Sequence, residues 1–320
     1  MKLEDIGFYT LSDERAENAS ETSRLMRAEI LISGNCNFSC PYCRHIGGPD
    51  ANLEDIISII DRLSNDNLFA IRLSGGEPTI HPDLLTMVKY AFDKGIEKIA
   101  LSTNGSADIG LYNQLIVAGV NDMSISLDSC CSADANVMSG GGIGDMWEEF
   151  IANIRAIAEQ IYVTAGVVLN EDNKDKVNDI INFAHELGVS DIRVIPAAQD
   201  SSTLQNIKID KTLLAIYPIL NYRYNNILHN KPVRGLSEHD PHKCPLVLDD
   251  VAIMGDKHYP CIIYMRESGD YIGKIGDNMR EDRKVWFEVT DTHIDPICSK
   301  QCLDVCQQYN SKYLQYHKNH

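Results

Sequence analysis

The sequence predicts an α/β fold: a partial (β/α)6, TIM-like barrel with a small cysteine-rich domain added towards the C-terminal end. Three observations carry that prediction. Apolar runs that read as strands alternate six times with amphipathic helical segments from residue 28 onward, and this alternation means a parallel sheet. Right-handed crossovers curl such a sheet into an open, barrel-like wall. Beyond residue 230 the alternation stops and five cysteines appear. The expected division is an N-terminal extension at 1–27, the barrel at 28–230 and the cysteine-rich domain at 231–320.

Residues 1–27 are polar and charged, with little periodicity, and read as an extension packed on the outside. The first strand is 28–33, and the helix after its loop sets Leu53, Ile56, Ile57, Ile60 and Leu63 on one face, with Asn52 as its cap. The second strand, 69–73, runs into Gly75-Gly76-Glu77-Pro78, and the helix after it buries Leu84, Val88, Ala91 and Phe92 before Gly95 ends it. Strand three, 98–102, leads into Thr103-Asn104-Gly105, and its helix carries Ile109, Tyr112, Leu115 and Ile116. Strand four, 123–127, runs into Asp128-Ser129. The Gly-rich stretch 139–144 lacks the Gly-Lys-Ser/Thr of a phosphate loop and reads as a flexible connection. Strand five, 162–169, ends at Asn170, strand six is 192–195, and Pro218 should split the helical segment 210–229.

Composition excludes several function classes. Lys plus Arg number 29 against 46 Asp plus Glu, a formal charge of -17, so nonspecific binding to a phosphate backbone is disfavoured and nucleic acid is not an expected partner. No apolar run reaches the ~20 residues of a membrane helix. Ten cysteines without a secretory signal pattern point to metal or redox use in a reducing cytoplasm rather than to disulfides.

The chemistry centres on Cys36-Asn-Phe-Ser-Cys40-Pro-Tyr-Cys43, directly after the first strand. Thiolates hold iron–sulfur clusters, and a [4Fe–4S] cluster takes four ligands, so three cysteines leave one iron open. A zinc knuckle would need a fourth Cys or His at short range, which His45 stands near enough to supply. Functional groups of parallel barrels collect at the C-terminal ends of the strands, and the motifs at 36–43, 75–78, 102–104, 126–128 and 170 all fall there.

With those motifs the stretch of roughly 28–200 resembles the radical S-adenosylmethionine (SAM) superfamily. The resemblance implies that Cys36, Cys40 and Cys43 ligate a [4Fe–4S] cluster whose open iron takes SAM. It implies that Gly75, Gly76 and Glu77 hold the SAM amino group, with Glu77 accepting from the ammonium. It also places Ser102 and Asn104 near the carboxylate or ribose, Ser126 and Asp128 at the ribose, Asn170 near the adenosyl group and Tyr42 against adenine. Cys130, with Cys131 beside it, reads as a loop thiol or as a hydrogen-atom donor, and Arg72 as a contact to a substrate anion or a structural ion pair.

Cys244-x10-Gly255-x5-Cys261, on a hairpin turning near Gly255-Asp256, resembles the auxiliary-cluster modules called twitch and SPASM. Cys298, Cys302 and Cys306 follow in what reads as one short helix. Five cysteines suffice for one four-ligand auxiliary [4Fe–4S] cluster plus one spare, and zinc is the alternative. Which two of Cys298, Cys302 and Cys306 complete the set stays open.

The implied function is cleavage of SAM to a 5′-deoxyadenosyl radical that takes a hydrogen atom from a small-molecule or peptide substrate. The auxiliary cluster then acts as electron acceptor or relay, and the electrons come from a donor such as flavodoxin or ferredoxin. The alternatives are a radical epimerase with a cysteine donor, a nucleotide-modifying enzyme, and an iron–sulfur or zinc scaffold without turnover. The scaffold would not need Gly75-Gly76-Glu77. The stretch before residue 28 reads as too short for a leader-binding domain. Ile71 to Pro78 resembles the molybdenum-cofactor cyclase, but the ending Lys318-Asn319-His320 lacks that enzyme's Gly-Gly, so that identity is not expected.

Overall fold

A computed structural model describes residues 13–44, 47–198 and 208–317. Its βα units run in chain order as α1 (Asp13–Asn18), β1 (Arg27–Ser33), α2 (Leu53–Asn65), β2 (Ala70–Gly75), α3 (Leu84–Asp93), β3 (Lys98–Thr103) and α4 (Ile109–Val117). Next come β4 (Asp122–Ser126), α5 (Ser132–Met138), α6 (Trp147–Ala158), β5 (Tyr162–Leu169), α7 (Val177–Glu186) and β6 (Asp191–Pro196). The remainder is α8 (Lys211–Ile216), α9 (Pro218–Leu228), β7 (Asp250–Met254), β8 (Lys257–Tyr259), α10 (Ile262–Arg266), β9 (Gly273–Lys274), α11 (Met279–Val289), α12 (Cys298–Gln301) and α13 (Asp304–His317).

The strands form one sheet in the order β6-β5-β4-β3-β2-β1-β7-β8-β9. The pairs from β1 to β6 are all parallel, as the alternation predicts. Strand faces alternate, and here the two faces differ in kind. Ile30, Ile32, Ile71, Leu73, Ile99, Leu101, Met123 and Ile125 are buried towards the helices in a continuous core. The opposite face carries Glu29, Arg72, Ser74, Ser102, Ser124, Thr164 and Arg193. The sheet thus turns a polar inner wall away from its helices.

Local signals place the helices. Asn52 caps α2 by accepting from the Glu54 backbone N–H at 2.8 Å, and Ile56, Ile59, Ile60 and Leu63 are buried. Pro218 takes the first position of α9, and the 210–229 segment breaks at Tyr217. Phe92, expected inside, is exposed; it lies where a side chain on Gly119 would sit.

The cysteine-rich part continues the same sheet. β7 pairs parallel with β1, Arg27 opposite Asp250, and the two side chains form an ion pair. β8 and β9 then add antiparallel strands, which gives the expected hairpin at Gly255. Described residues of the N-terminal stretch also pack here: Ala16 and Ala19 are buried against Tyr309, and Arg15 and Tyr309 both donate to Asp249.

Arg283 on α11 organises this end. Its side chain is buried and donates to the carbonyls of Val247 (2.8 Å), Asp250, Tyr259 (3.1 Å) and Pro260 (3.3 Å). Those carbonyls belong to the β7–β8 hairpin and its flanks, so one guanidinium binds four carbonyls across it. Arg283→Met removes four hydrogen bonds to buried backbone and should cost about 3 kcal/mol or more in urea denaturation. Amide exchange should rise first over 247–260, and Arg283→Lys should recover less than half.

Candidate metal centre and ligand cavity

The cysteine loop leaves the end of β1 and is stitched to the end of β2 by backbone. Gly76 N–H donates to Ser33 O and Glu77 N–H to Asn35 O, each at 2.8 Å. A Cβ on Gly75 would run into Ser33, where φ is also +145°, and one on Gly76 would run into the Asn35 carbonyl. The paired glycines therefore let two protein segments meet, a closer need than the ligand approach expected from the sequence. Ser33 Oγ and Gly34 N–H donate to Asp50 Oδ1 at 2.7 and 3.2 Å.

A second clamp comes from the Gly-rich stretch. Ser39 N–H donates to Ser139 O at 3.1 Å. Side chains on Gly140 and Gly142 would strike the Ser39 carbonyl and the Phe38 ring. The stretch expected to be a flexible connection is packed against the cysteine loop, a long-range contact that local sequence does not reveal.

So held, Cys36, Cys40 and Cys43 line one cavity of about 390 Å³ with Gly75, Gly76, Arg44 and Arg266. That volume suits a small ligand beside a cluster. Burial pushes the Cys36 thiol up and the Cys40 thiol up to about 11, so bound cationic iron would be needed to hold them as thiolates. Among the described residues no three His, Cys, Asp or Glu side chains converge closely enough for a single metal ion. A tetrahedral zinc draws its thiolates to within ~3.8 Å of one another, whereas a four-iron cluster is ligated at separate irons. Three thiolates with no fourth among the described residues, facing a cavity with room to spare, fit a cluster with an open position. His45 lies outside the described residues.

Glu77 does not occupy the expected place. Its carboxylate is buried and does not line the cavity. Oε1 accepts from Thr79 N–H (3.0 Å), Thr79 Oγ1 (2.7 Å) and Thr103 Oγ1 (2.7 Å), and Oε2 accepts from Asn104 N–H (2.6 Å). Four donors thus fall on one carboxylate, three on Oε1 and one on Oε2. Burial raises its pKa and the four donors oppose that shift. Glu77 is a tie between the ends of β2 and β3, and backbone at Gly75 and Gly76 is what faces the cavity.

Beside this cavity lies a smaller hollow of about 60 Å³, and Cys40 borders both. Tyr42, Asn104, Ser126 and Asp128 line it, so four of the expected ligand residues do come together. Tyr42 donates its hydroxyl to Asp128 Oδ2, and Val168 N–H donates to Oδ1 at 2.6 Å. Burial raises Asp128 to about 6, against both donors. Asn104 Nδ2 donates to Asn37 Oδ1 at 2.8 Å and approaches Cys36 Sγ at 4.0 Å.

Other expected residues lie elsewhere. Ser102 sits on the polar wall opposite Ser124 and lines neither hollow. Asn170 accepts from Asp172 N–H at 2.9 Å in a local turn. Its neighbour Asn173, which sequence reasoning missed, donates to Asp128 O and Val168 O at 2.9 Å and joins the ends of β4 and β5. Cys130 packs at the edge of the hydrophobic core. Burial first, then Cys131, Asp179 and Asp134, raise its thiol; this is the helix layer, and neither hollow includes it. Arg72 is buried on the polar wall near Asp122 and Arg193, outside the cysteine cavity.

Cys244, Cys261, Cys298, Cys302 and Cys306 all line a second, apolar cavity with Tyr264 and Trp286. Burial pushes Cys244 up to about 11 and raises Cys261 and Cys298 as well. The expected single helix is broken: Cys298 opens α12, Cys302 ends it in extended backbone, and Cys306 lies on α13. Leu303 causes the break by bridging to Arg234. Asn310 Nδ2 donates to Cys244 Sγ at 3.5 Å, and its Oδ1 accepts from Leu246 N–H at 3.3 Å. Five soft donors on one dry cavity fit an auxiliary cluster.

Two outcomes follow from this geometry. Glu77→Gln should lower the fraction of protein that retains iron, yet shift SAM affinity less than about threefold in the loaded fraction, since the carboxylate works through backbone. If Asp128 meets the SAM ribose as the resemblance implies, SAM affinity should rise several-fold between pH 5.5 and 7.5 as it ionises and can accept from a hydroxyl. Asp128→Asn should flatten that rise, measured by equilibrium dialysis.

A family model described as the Radical SAM superfamily matches residues 30–184. A "Probable GTP 3',8-cyclase" of Saccharolobus islandicus is 27% identical over 172 residues, 52% of this chain and 55% of that protein. One of Metallosphaera sedula is 26% identical over 173 residues. The chain spans about half the length of these curated relatives. Among solved structures, Streptococcus suis SuiB superposes with a TM-score of 0.58 at 15% identity, over 86% of this chain and 67% of that one. The enzyme anSMEcpe with bound AdoMet and Cp18Cys peptide gives 0.57 at 15% identity, over 92% and 97%. At that identity the likeness is one of fold. The matched stretch, just under half of the chain, runs from β1 to α7 and is a Radical SAM domain, of a superfamily whose members use a [4Fe–4S] cluster and SAM.

Proposed function

We propose that the chain is a radical SAM enzyme that takes a hydrogen atom from a small-molecule or peptide substrate, with an auxiliary cluster serving as electron acceptor or relay. The observation that carries this reading is the pairing of two cysteine cavities, one with three thiols and spare volume and one with five thiols and little polar lining. Cys36, Cys40 and Cys43 would hold the first cluster with SAM beside it, and one-electron cleavage of SAM there would supply a 5′-deoxyadenosyl radical and methionine. Residues 28–230 form the part for that chemistry, and 231–320 the auxiliary part docked on β1 through β7.

The protein's own groups orient and shield. The backbone at Gly75 and Gly76 faces the SAM amino group, and Ser126 and Asp128 accept from the ribose hydroxyls beside Tyr42. Leu31 and Met254 give the larger cavity apolar walls that exclude water. If the net reaction is an oxidation, the substrate gives one hydrogen atom to the radical, forming 5′-deoxyadenosine. The remaining electron would pass to an auxiliary cluster held by cysteines of the second cavity, and the proton to solvent. A one-electron donor such as flavodoxin or ferredoxin drives each cleavage, and oxygen-labile clusters suit the cytoplasm.

Two readings of the substrate have specific support. A peptide fits the fold shared with SuiB, which is known bound to precursor peptide SuiA, and with anSMEcpe bound to a peptide. A nucleotide fits the name of the 27% identical relatives. The test is anaerobic reconstitution with iron and sulfide counts, repeated with Cys36, Cys40 and Cys43 all changed to Ala. About eight irons should fall to about four, with 5′-deoxyadenosine formed only by reduced wild type. About four irons falling to none would refute the auxiliary cluster, and no 5′-deoxyadenosine from reduced wild type would refute the enzyme.

A further inference from the structure

Asn310 stands at the five-cysteine cavity without being one of its thiols. It is buried on α13, one helical turn after Cys306, so the helix shows both side chains to the same hollow. Its carboxamide is held in one orientation. Oδ1 accepts from the Leu246 backbone N–H at 3.3 Å, which turns Nδ2 towards Cys244 Sγ at 3.5 Å. Leu246 lies two residues after Cys244, so one side chain binds both the cysteine and the backbone that follows it. A free thiol can reverse the contact, and Cys244 Sγ also lies 3.7 Å from Oδ1. A thiolate on iron has no proton to give, so there only the N–H···S bond from Asn310 remains.

The direction of that bond has an electrical consequence. Cluster thiolates are negative, and an added electron makes the whole group more so. A dry, apolar cavity disfavours the more highly charged state. An N–H aimed at a ligand sulfur opposes this, because it stabilises the reduced cluster more than the oxidised one. The low dielectric of the cavity strengthens the bond. Tyr264 N–H, 3.4 Å from Cys261 Sγ, adds a backbone donor of the same kind. The three-cysteine group differs in this respect. There the side-chain amide of Asn104 stands 4.0 Å from Cys36 Sγ and donates to Asn37 Oδ1 at 2.8 Å.

We propose that Asn310 is a positioning residue of the auxiliary cluster, its amide N–H bonding the Cys244 thiolate and raising the reduction potential of that cluster. The bond thereby favours uptake of an electron from the substrate radical over its release. This rests on the enzyme reading above and, within it, selects the acceptor role. In that step the substrate radical loses one electron and its proton goes to solvent, while the cluster gains that electron.

The test uses the reconstituted full-length protein with Cys36, Cys40 and Cys43 changed to Ala. Electron paramagnetic resonance during a redox titration then reads the auxiliary cluster alone. Asn310→Leu removes the donor and keeps an apolar side chain of similar size in its place. Asn310→Asp keeps an acceptor for the Leu246 N–H and sets a carboxylate, which has no N–H, beside the sulfur. The comparison is made at the potential where half the clusters are reduced when Asn310 is present. There the ratio of reduced to oxidised cluster should fall at least about threefold in Asn310→Leu and about tenfold or more in Asn310→Asp, tenfold being about 59 mV for one electron. Iron should stay at about four per chain in Asn310→Asp. An unchanged ratio in an iron-loaded variant overturns the proposal. Loss of iron from both variants also overturns it, because Asn310 would then build the site and not tune it. Failure of the auxiliary-cluster reading appears separately, as absence of bound iron before Asn310 is changed.

Discussion

Four hydrogen bonds converge on the Glu77 carboxylate and tie Thr79, Thr103 and Asn104 to the end of β2. The same turn reaches back through Gly76 and Glu77 N–H to Ser33 and Asn35, the residues from which the cysteine loop departs. Three strand ends are thereby fixed to one another before any ligand arrives. A cluster loop needs this, because three thiols on an eight-residue loop hold a common target only if the backbone between them is already set. Loss of an acceptor here is expected to loosen the cysteines rather than remove a ligand contact.

The second half of the molecule depends on a different kind of tie. Arg283 satisfies a set of carbonyls that the β7–β8 hairpin leaves inside, and Arg223 pairs with buried Asp304 at 2.6 Å to hold α13 on α9. Buried charges of this sort contribute little net stability but penalise any other arrangement strongly. They fix where Cys261 and Cys306 stand. Because β7 extends the sheet from β1, the five-cysteine cavity is registered to the three-cysteine cavity through strands rather than through a linker.

Much of this was legible in the sequence because the chemistry demands particular residue types in a particular order. The Cys36–Cys40–Cys43 spacing, the Gly75-Gly76 turn one helix later and polar residues at strand ends all survive as neighbours in space. Tyr42, Asn104, Ser126 and Asp128 indeed share one hollow. Residue type alone is ambiguous where a side chain has two uses. Glu77 reads as an ammonium acceptor and also takes four protein donors, and Cys130, read as a loop thiol or a hydrogen-atom donor, packs at the edge of the core. Contacts between distant segments were invisible: nothing near Gly140 or Gly142 announces that they pack on Ser39 and Phe38. The break at Cys302 was missed for the same reason, since its cause is a bridge from Leu303 to Arg234.

The account stands on one claim, that the three-cysteine cavity holds a cluster with an iron open to SAM. The most direct measurement is electron–nuclear double resonance on the reduced protein with SAM labelled with ¹⁵N at its amino group. The account predicts a ¹⁵N coupling to the cluster that disappears when Cys36, Cys40 and Cys43 are replaced and persists when Cys244 and Cys261 are replaced. A coupling that follows Cys244 and Cys261 instead, or none in wild type with SAM bound, would contradict it.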